Sequence, residues 1–99
     1  MSQVLPGQVG GRLGPPAPHV LVSELDGEIS LYDPVRSDAH LLNSTASDIW
    51  RLLDGEHTLD EIVDLLARAY EVAPSDIRVH VARTVDVFDD RGLLGRAPG

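Results

Sequence analysis

The chain has 99 residues and no cysteine, so it makes one small domain that neither disulfides nor a cysteine-based metal site can staple. It carries 16 acidic residues against eight arginines, with no lysine, for a net charge of −8; all the acids fall between Glu24 and Asp90. That balance disfavours nucleic acid and anionic membranes as partners, because phosphate binding needs Lys and Arg to replace counterions.

Residues 1–18 hold four glycines and four prolines, too little apolar surface to offset ordering, and are expected to form a flexible tail. Residues 96–99 are expected to fray. The folded domain is expected over 19–95. No apolar run approaches the ~18–20 residues of a membrane span, and the N-terminus lacks the basic start and apolar stretch of a secretory signal. A cytoplasmic protein is the expectation.

HVLVSEL (19–25) is apolar and β-branched enough for a strand. Asp26-Gly27 is a strong hairpin signal, and EISLYD (28–33) alternates as a second strand. After a turn over Pro34–Asp38, AHLL (39–42) reads as a third. The apolar period then changes from two to 3.6. Asn43, Ser44 or Thr45 supplies an N-cap, Asp48 falls near the first turn, and Ala46, Ile49, Trp50 and Leu53 mark one face until Gly55. Thr58 and Glu61 have capping-box spacing ahead of a stripe of Leu59, Ile62, Val63, Leu66, Ala69 and Tyr70. Pro74 suits the first turn of a third helix, whose core face is Ile77, Val81, Val85 and Phe88. The expected fold is α+β, ordered βββααα.

Signals for chemistry are weak. His19, His40, His57 and His80 lack metal-ligand spacing, and Asp86, Asp89 and Asp90 do not match a calcium loop. Ser44, Thr45 and Ser47 are read as helix-capping residues, because a nucleophile needs a base and an oxyanion site that the sequence does not point to. No catalytic residue, metal site or cofactor is expected, and the protein is not expected to be an enzyme.

One ordered set of residues is more specific: Leu42-Asn43, Ile49-Trp50, Leu53-Asp54-Gly55, Thr58, Glu61-Ile62, Tyr70, Val72, Pro74 and Gly92-Leu93-Leu94. Over about residues 20–94 the chain resembles the PqqD-like family, named for a small protein of pyrroloquinoline quinone biosynthesis. The resemblance implies a winged helix-turn-helix-like fold and a role as a recognition element in natural product biosynthesis. Such an element binds the leader of a ribosomally made precursor peptide and presents the peptide to a modifying enzyme, such as a radical S-adenosylmethionine protein. It implies that the leader lies as an added strand beside the third strand, in a cleft against the third helix. On this chain that points to Asp38, Ala39, His40, Leu41 and Leu42, and on the helix to Arg78, Val81, Ala82, Val85 and Asp89. His80 stands where the family pattern often has an acid. The periodicity leaves open which flank of the helix, that of Arg78, Ala82 and Asp89 or that of His80 and Val87, meets the strand; the first has a small residue beside an arginine that could pair with a leader carboxylate. A monomer is expected over a dimer. The alternatives are a winged-helix DNA-binding regulator, which the aspartates of the third helix oppose, and a docking subunit without a peptide ligand.

Overall fold

The computed structural model describes residues 11–95. Its elements are β1 (Arg12–Leu13), β2 (Leu21–Leu25), β3 (Glu28–Asp33), β4 (Asp38–Leu41), α1 (Ser44–Leu52), β5 (His57–Thr58), α2 (Leu59–Tyr70) and α3 (Pro74–Asp90). Strands β2, β3 and β4 form an antiparallel sheet in that spatial order, and β1 pairs with β5 in a separate two-stranded ribbon. The α+β expectation holds, with the ribbon added to the βββααα order.

The β2–β3 hairpin closes through Asp26 and Gly27, at φ 54° and 80°; two positive φ values match the right-handed twist of the strands. The turn into β4 is shaped by Asp33. Its Oδ1 accepts the N–H groups of Val35 at 2.9 Å and Arg36 at 3.2 Å, and His19 Nε2 lies 3.4 Å away. The side chain is 1% exposed. Burial pushes this carboxyl up, but the Arg36 and Val35 N–H groups and His19 outweigh it, so it sits below its ordinary value.

Helix α1 takes Asn43 as N-cap, whose Oδ1 accepts the Ala46 N–H at 2.8 Å. Asp48 lies beyond the first turn, where it binds Arg51 and the Tyr70 hydroxyl instead of serving the helix dipole. The Thr58–Glu61 capping box forms in both directions at the start of α2. Pro74 opens α3 behind Ala73. One core joins the layers: Ile29 and Leu31 from β3, Ile49, Trp50 and Leu53 from α1 and its end, Ile62, Val63 and Leu66 from α2, and Val81, Val85 and Phe88 from α3. Trp50 and Phe88 meet edge-to-face, with ring centroids 5.2 Å apart, a favoured aromatic geometry.

The expected tail over 1–18 divides. Residues 1–10, like 96–99, lie outside the described residues. Residues 11–18 pack onto the body rather than forming a flexible arm. The Leu13 carbonyl accepts the Gly55 N–H at 2.8 Å, the Ala17 N–H donates to the Leu93 carbonyl at 2.9 Å, and the Pro15 carbonyl accepts the Gly95 N–H at 2.7 Å. Leu13 and Ala17 are buried in the core. Gly and Pro deny this stretch a helix or long strand of its own, but they do not prevent other segments from satisfying its main chain. Gly14 has φ +83°, and a Cβ there would lie 2.3 Å from the Leu53 oxygen, so glycine is required.

Candidate functional site

The sheet has two edge strands, β2 and β4, and along the outer edge of β4 hydrogen-bonding groups are left open in an ordered row. Strand register identifies them. The Leu42 N–H donates to the Ile29 carbonyl at 2.9 Å, which makes Ile29–Leu42 a hydrogen-bonded pair. Such pairs alternate along an antiparallel ladder, so Leu31–His40 and Asp33–Asp38 also face one another through their main chains. Ala39 and Leu41 therefore turn their N–H and C=O groups away from β3. No strand lies beyond β4 among the described residues, and Leu41 is 84% exposed.

The end of this edge is fixed by a buried hydroxyl. Ser47, 0% exposed, accepts the Ile29 N–H at 2.9 Å and donates to the Leu42 carbonyl at 3.4 Å. It thus relays a ladder bond that β3 and β4 no longer make directly. Asn43 and Ser47, one turn apart on α1, together convert the end of the strand into the start of the helix. At the other end, the guanidinium of Arg36 in the β3–β4 turn lies over Gly92, just past α3. The turn feeding β4 and the C-terminal end of α3 therefore meet.

The two flanks of α3 are not equivalent. Arg78 Nη1 pairs with Asp60 Oδ1 at 2.7 Å, and Asp60 belongs to the first turn of α2. The Arg78 flank, with Ala82 and Asp89 at helical spacing, thus faces α2. His80, Thr84 and Val87 lie on the opposite flank, where Val87 stays 44% exposed and the Thr84 hydroxyl is returned to the His80 carbonyl at 2.9 Å.

Of the residues singled out from sequence, Asp38, Ala39 and Leu41 are exposed on the edge strand, His40 is half-buried, and Leu42 packs partly on the core. Val81 and Val85 are 1% and 7% exposed; they fill the interior instead of offering a surface. Arg78 is engaged with α2, which its position in the sequence did not reveal. The periodicity leaves the His80 and Val87 flank open as the alternative to that of Arg78; Thr84, which lies between them on the helix, is not singled out by the sequence. Within α3 itself, Asp76, Asp86, Asp89 and Asp90 stand against Arg78 and Arg83, and Arg78 is already paired, so this helix repels a phosphate backbone. No group of three or more metal-ligating side chains gathers among the described residues, and no described helix is long and apolar enough to cross a membrane.

Residues 28–94 match the family model of coenzyme PQQ synthesis protein D (PqqD). Two solved structures are similar. One, TbiB1 in complex with the TbiA(beta) leader peptide, is 24% identical, with 84% of this chain and 98% of that chain covered and a TM-score of 0.74. The other, lasso peptide synthetase B1 complexed with the leader peptide, is 28% identical, with 83% and 96% covered and a TM-score of 0.70. No curated protein matches the chain.

Proposed function

The chain belongs to the PqqD family, and from that premise we propose that it is a non-catalytic recognition element that captures the leader of a ribosomally made precursor peptide. The observation that carries this reading is the open edge of β4, where Ala39 and Leu41 each offer an N–H and a C=O outward. An extended peptide laid antiparallel along that edge satisfies up to four hydrogen bonds and continues the β2–β3–β4 sheet. The leader complexes formed by the two similar structures support the same kind of ligand here.

Magnitudes say what else the site must supply. Four main-chain bonds at about 0.5–1.5 kcal/mol net each sum to less than the ~8 kcal/mol of a micromolar complex. The rest has to come from leader side chains. Those on the core-facing side of the added strand point into the gap between β4 and α3. We assign its walls to His40 and Leu42 on the strand and to His80, Thr84 and Val87 on the helix flank that α2 leaves free. The apolar Leu42 and Val87 suit an aliphatic or aromatic leader residue. The captured peptide is then presented to a modifying enzyme, for which this chain supplies the binding and not the chemistry.

Calorimetric titration tests the reading. The synthetic leader half of a precursor encoded beside this chain binds with one-to-one stoichiometry, and the core half does not. Equal binding of both halves, or of neither, contradicts it.

A further inference from the structure

Residues 15–20 reach the supports of both cleft walls. Pro16 bridges to Leu94. The main chains of Ala17 and Pro15 are hydrogen-bonded to Leu93 and Gly95, just past the end of α3. The chain then turns back on itself, with the Val20 N–H donating to the Ala17 carbonyl at 3.1 Å. Ala17 and Val20 are buried in the core. Between them stands His19, whose Nε2 lies 3.4 Å from Asp33 Oδ1. One short segment therefore touches both the end of the helix wall and the end of the strand that feeds β4.

The strand wall is held by different means at its two ends. At the Leu42 end, Ser47 ties it to α1. At the Asp38 end it is held through the turn, whose Val35 and Arg36 N–H groups both donate to Asp33 Oδ1. Asp33 and Asp38 are opposed across β3 and β4. Their side chains therefore share the face turned toward the helices, where like charges repel. Asp33 is buried, and its Oδ2 has no hydrogen-bond partner. The basic side chain against this carboxylate is His19; Arg36 turns its guanidinium to Gly92 instead. A neutral imidazole at 3.4 Å makes a long, weak hydrogen bond. An imidazolium makes a charge-assisted one, roughly twice as strong, and offsets the repulsion from Asp38.

Resting on the leader-binding reading above, we propose that His19 is a positioning residue for the leader: in its protonated form it fastens Asp33 and the β3–β4 turn to the segment bonded to the end of α3, and so holds the Asp38 end of β4 at the spacing an added strand needs. Histidine changes charge between about pH 5 and 8, and Asp33, held below its ordinary value, is ionised across that range. The charged form of His19 holds the edge, so its contribution to leader affinity grows as pH falls. By linkage, leader binding draws a proton onto His19. The other titratable or charged groups at this cleft are His40 and His80, which face the leader itself, and Asp38 and Arg36 at the same end. They are common to all the chains compared below, so their effects cancel in an affinity ratio taken at one pH.

The experiment measures affinity by calorimetry between about pH 5.5 and 8, with the full chain and the synthetic leader half of the precursor encoded beside it. His19→Gln keeps a hydrogen-bond donor and loses the charge. His19→Lys keeps a charge at every pH used. The ratio of wild-type to His19→Gln affinity is expected to grow from about one at the alkaline end to about three- to tenfold at the acid end, the difference between a charged and a neutral hydrogen bond. His19→Lys is expected to bind more tightly than the wild type at the alkaline end. A ratio that stays constant with pH overturns the inference even if His19→Gln binds more weakly throughout, because lost packing alone acts equally at every pH. A His19→Lys chain that binds no better than His19→Gln overturns it as well. Both results leave the leader-binding reading standing. Absence of leader binding by the wild type at every pH overturns that reading, and this one with it.

Discussion

Ser47 Oγ stands 2.9 Å from the Ile29 nitrogen, in the place where the third strand of the sheet would otherwise have continued. The hydroxyl accepts from one strand and donates to the end of the next, so β4 stops at a defined residue just before α1 begins. Removing the hydroxyl leaves the buried Ile29 N–H without its acceptor and takes a donor from the part-buried Leu42 C=O. Ser47→Ala is expected to cost about 1–3 kcal/mol of stability, measured by urea denaturation, and to weaken leader binding through a loosened β4 edge. Wild-type stability would show that the two backbone groups find other partners.

Gly14 tests whether residues 11–18 belong to the domain. A methyl group at this position meets the Leu53 oxygen and a positive φ together, and the strand neighbour Leu13 is in the core. Gly14→Ala is expected to destabilise by on the order of 2–4 kcal/mol, the range for strain combined with disrupted packing. Gly27, also at positive φ but with nothing within 4 Å of an added Cβ, is expected to tolerate Gly27→Asn, since Asn accepts the left-handed region. Equal thermal shifts for the two variants would mean that the N-terminal segment is not part of the cooperative unit.

Asp33 makes stability depend on pH in a stated direction. Its folded pKa is depressed, so the folded state binds its proton less readily than the unfolded state does. The stability it contributes is fully present above the unfolded value of about 3.9 and is lost as pH falls through the folded value. Asp33→Asn is expected to flatten the stability profile below about pH 4. A profile parallel to the wild type would show that the Val35 and Arg36 N–H groups do not depend on the carboxylate charge.

Leu41→Pro separates strand addition from side-chain recognition. The Leu41 N–H faces outward, so proline is tolerated there as it is on edge strands, and the change removes one main-chain donor from the leader. Leader affinity is expected to drop by up to about tenfold, the equivalent of one hydrogen bond, with the fold retained by circular dichroism. His40→Pro, whose N–H points to β3, is expected to disturb the sheet itself.

The sequence made local devices legible. Asn43 and the Thr58–Glu61 box declare helix starts through side chains that act three residues away. Asp26-Gly27 declares the hairpin through its own backbone preference. The order of strands and helices, the core stripe and the edge-strand segment followed from these. What stayed hidden depends on residues far apart in the chain. The β1–β5 ribbon is two residues on each side, below any periodic signal, and is held by Leu13 and Gly55. The free flank of α3 is set by an arginine whose partner lies in another helix. Ser47 looks in sequence like any small residue on a helix, and only its distance to Ile29 gives it a role.

Backbone amide exchange and chemical shifts, read on the isotopically labelled chain with and without the leader half of its precursor, test strand addition most directly. The account predicts that saturating leader shifts the amides of Ala39 and Leu41 and of His80 to Val87, and slows exchange at Ala39 and Leu41 while the already paired His40 changes little. Shifts confined to β2 or α2, or no protection at Ala39 and Leu41 under saturation, would contradict it.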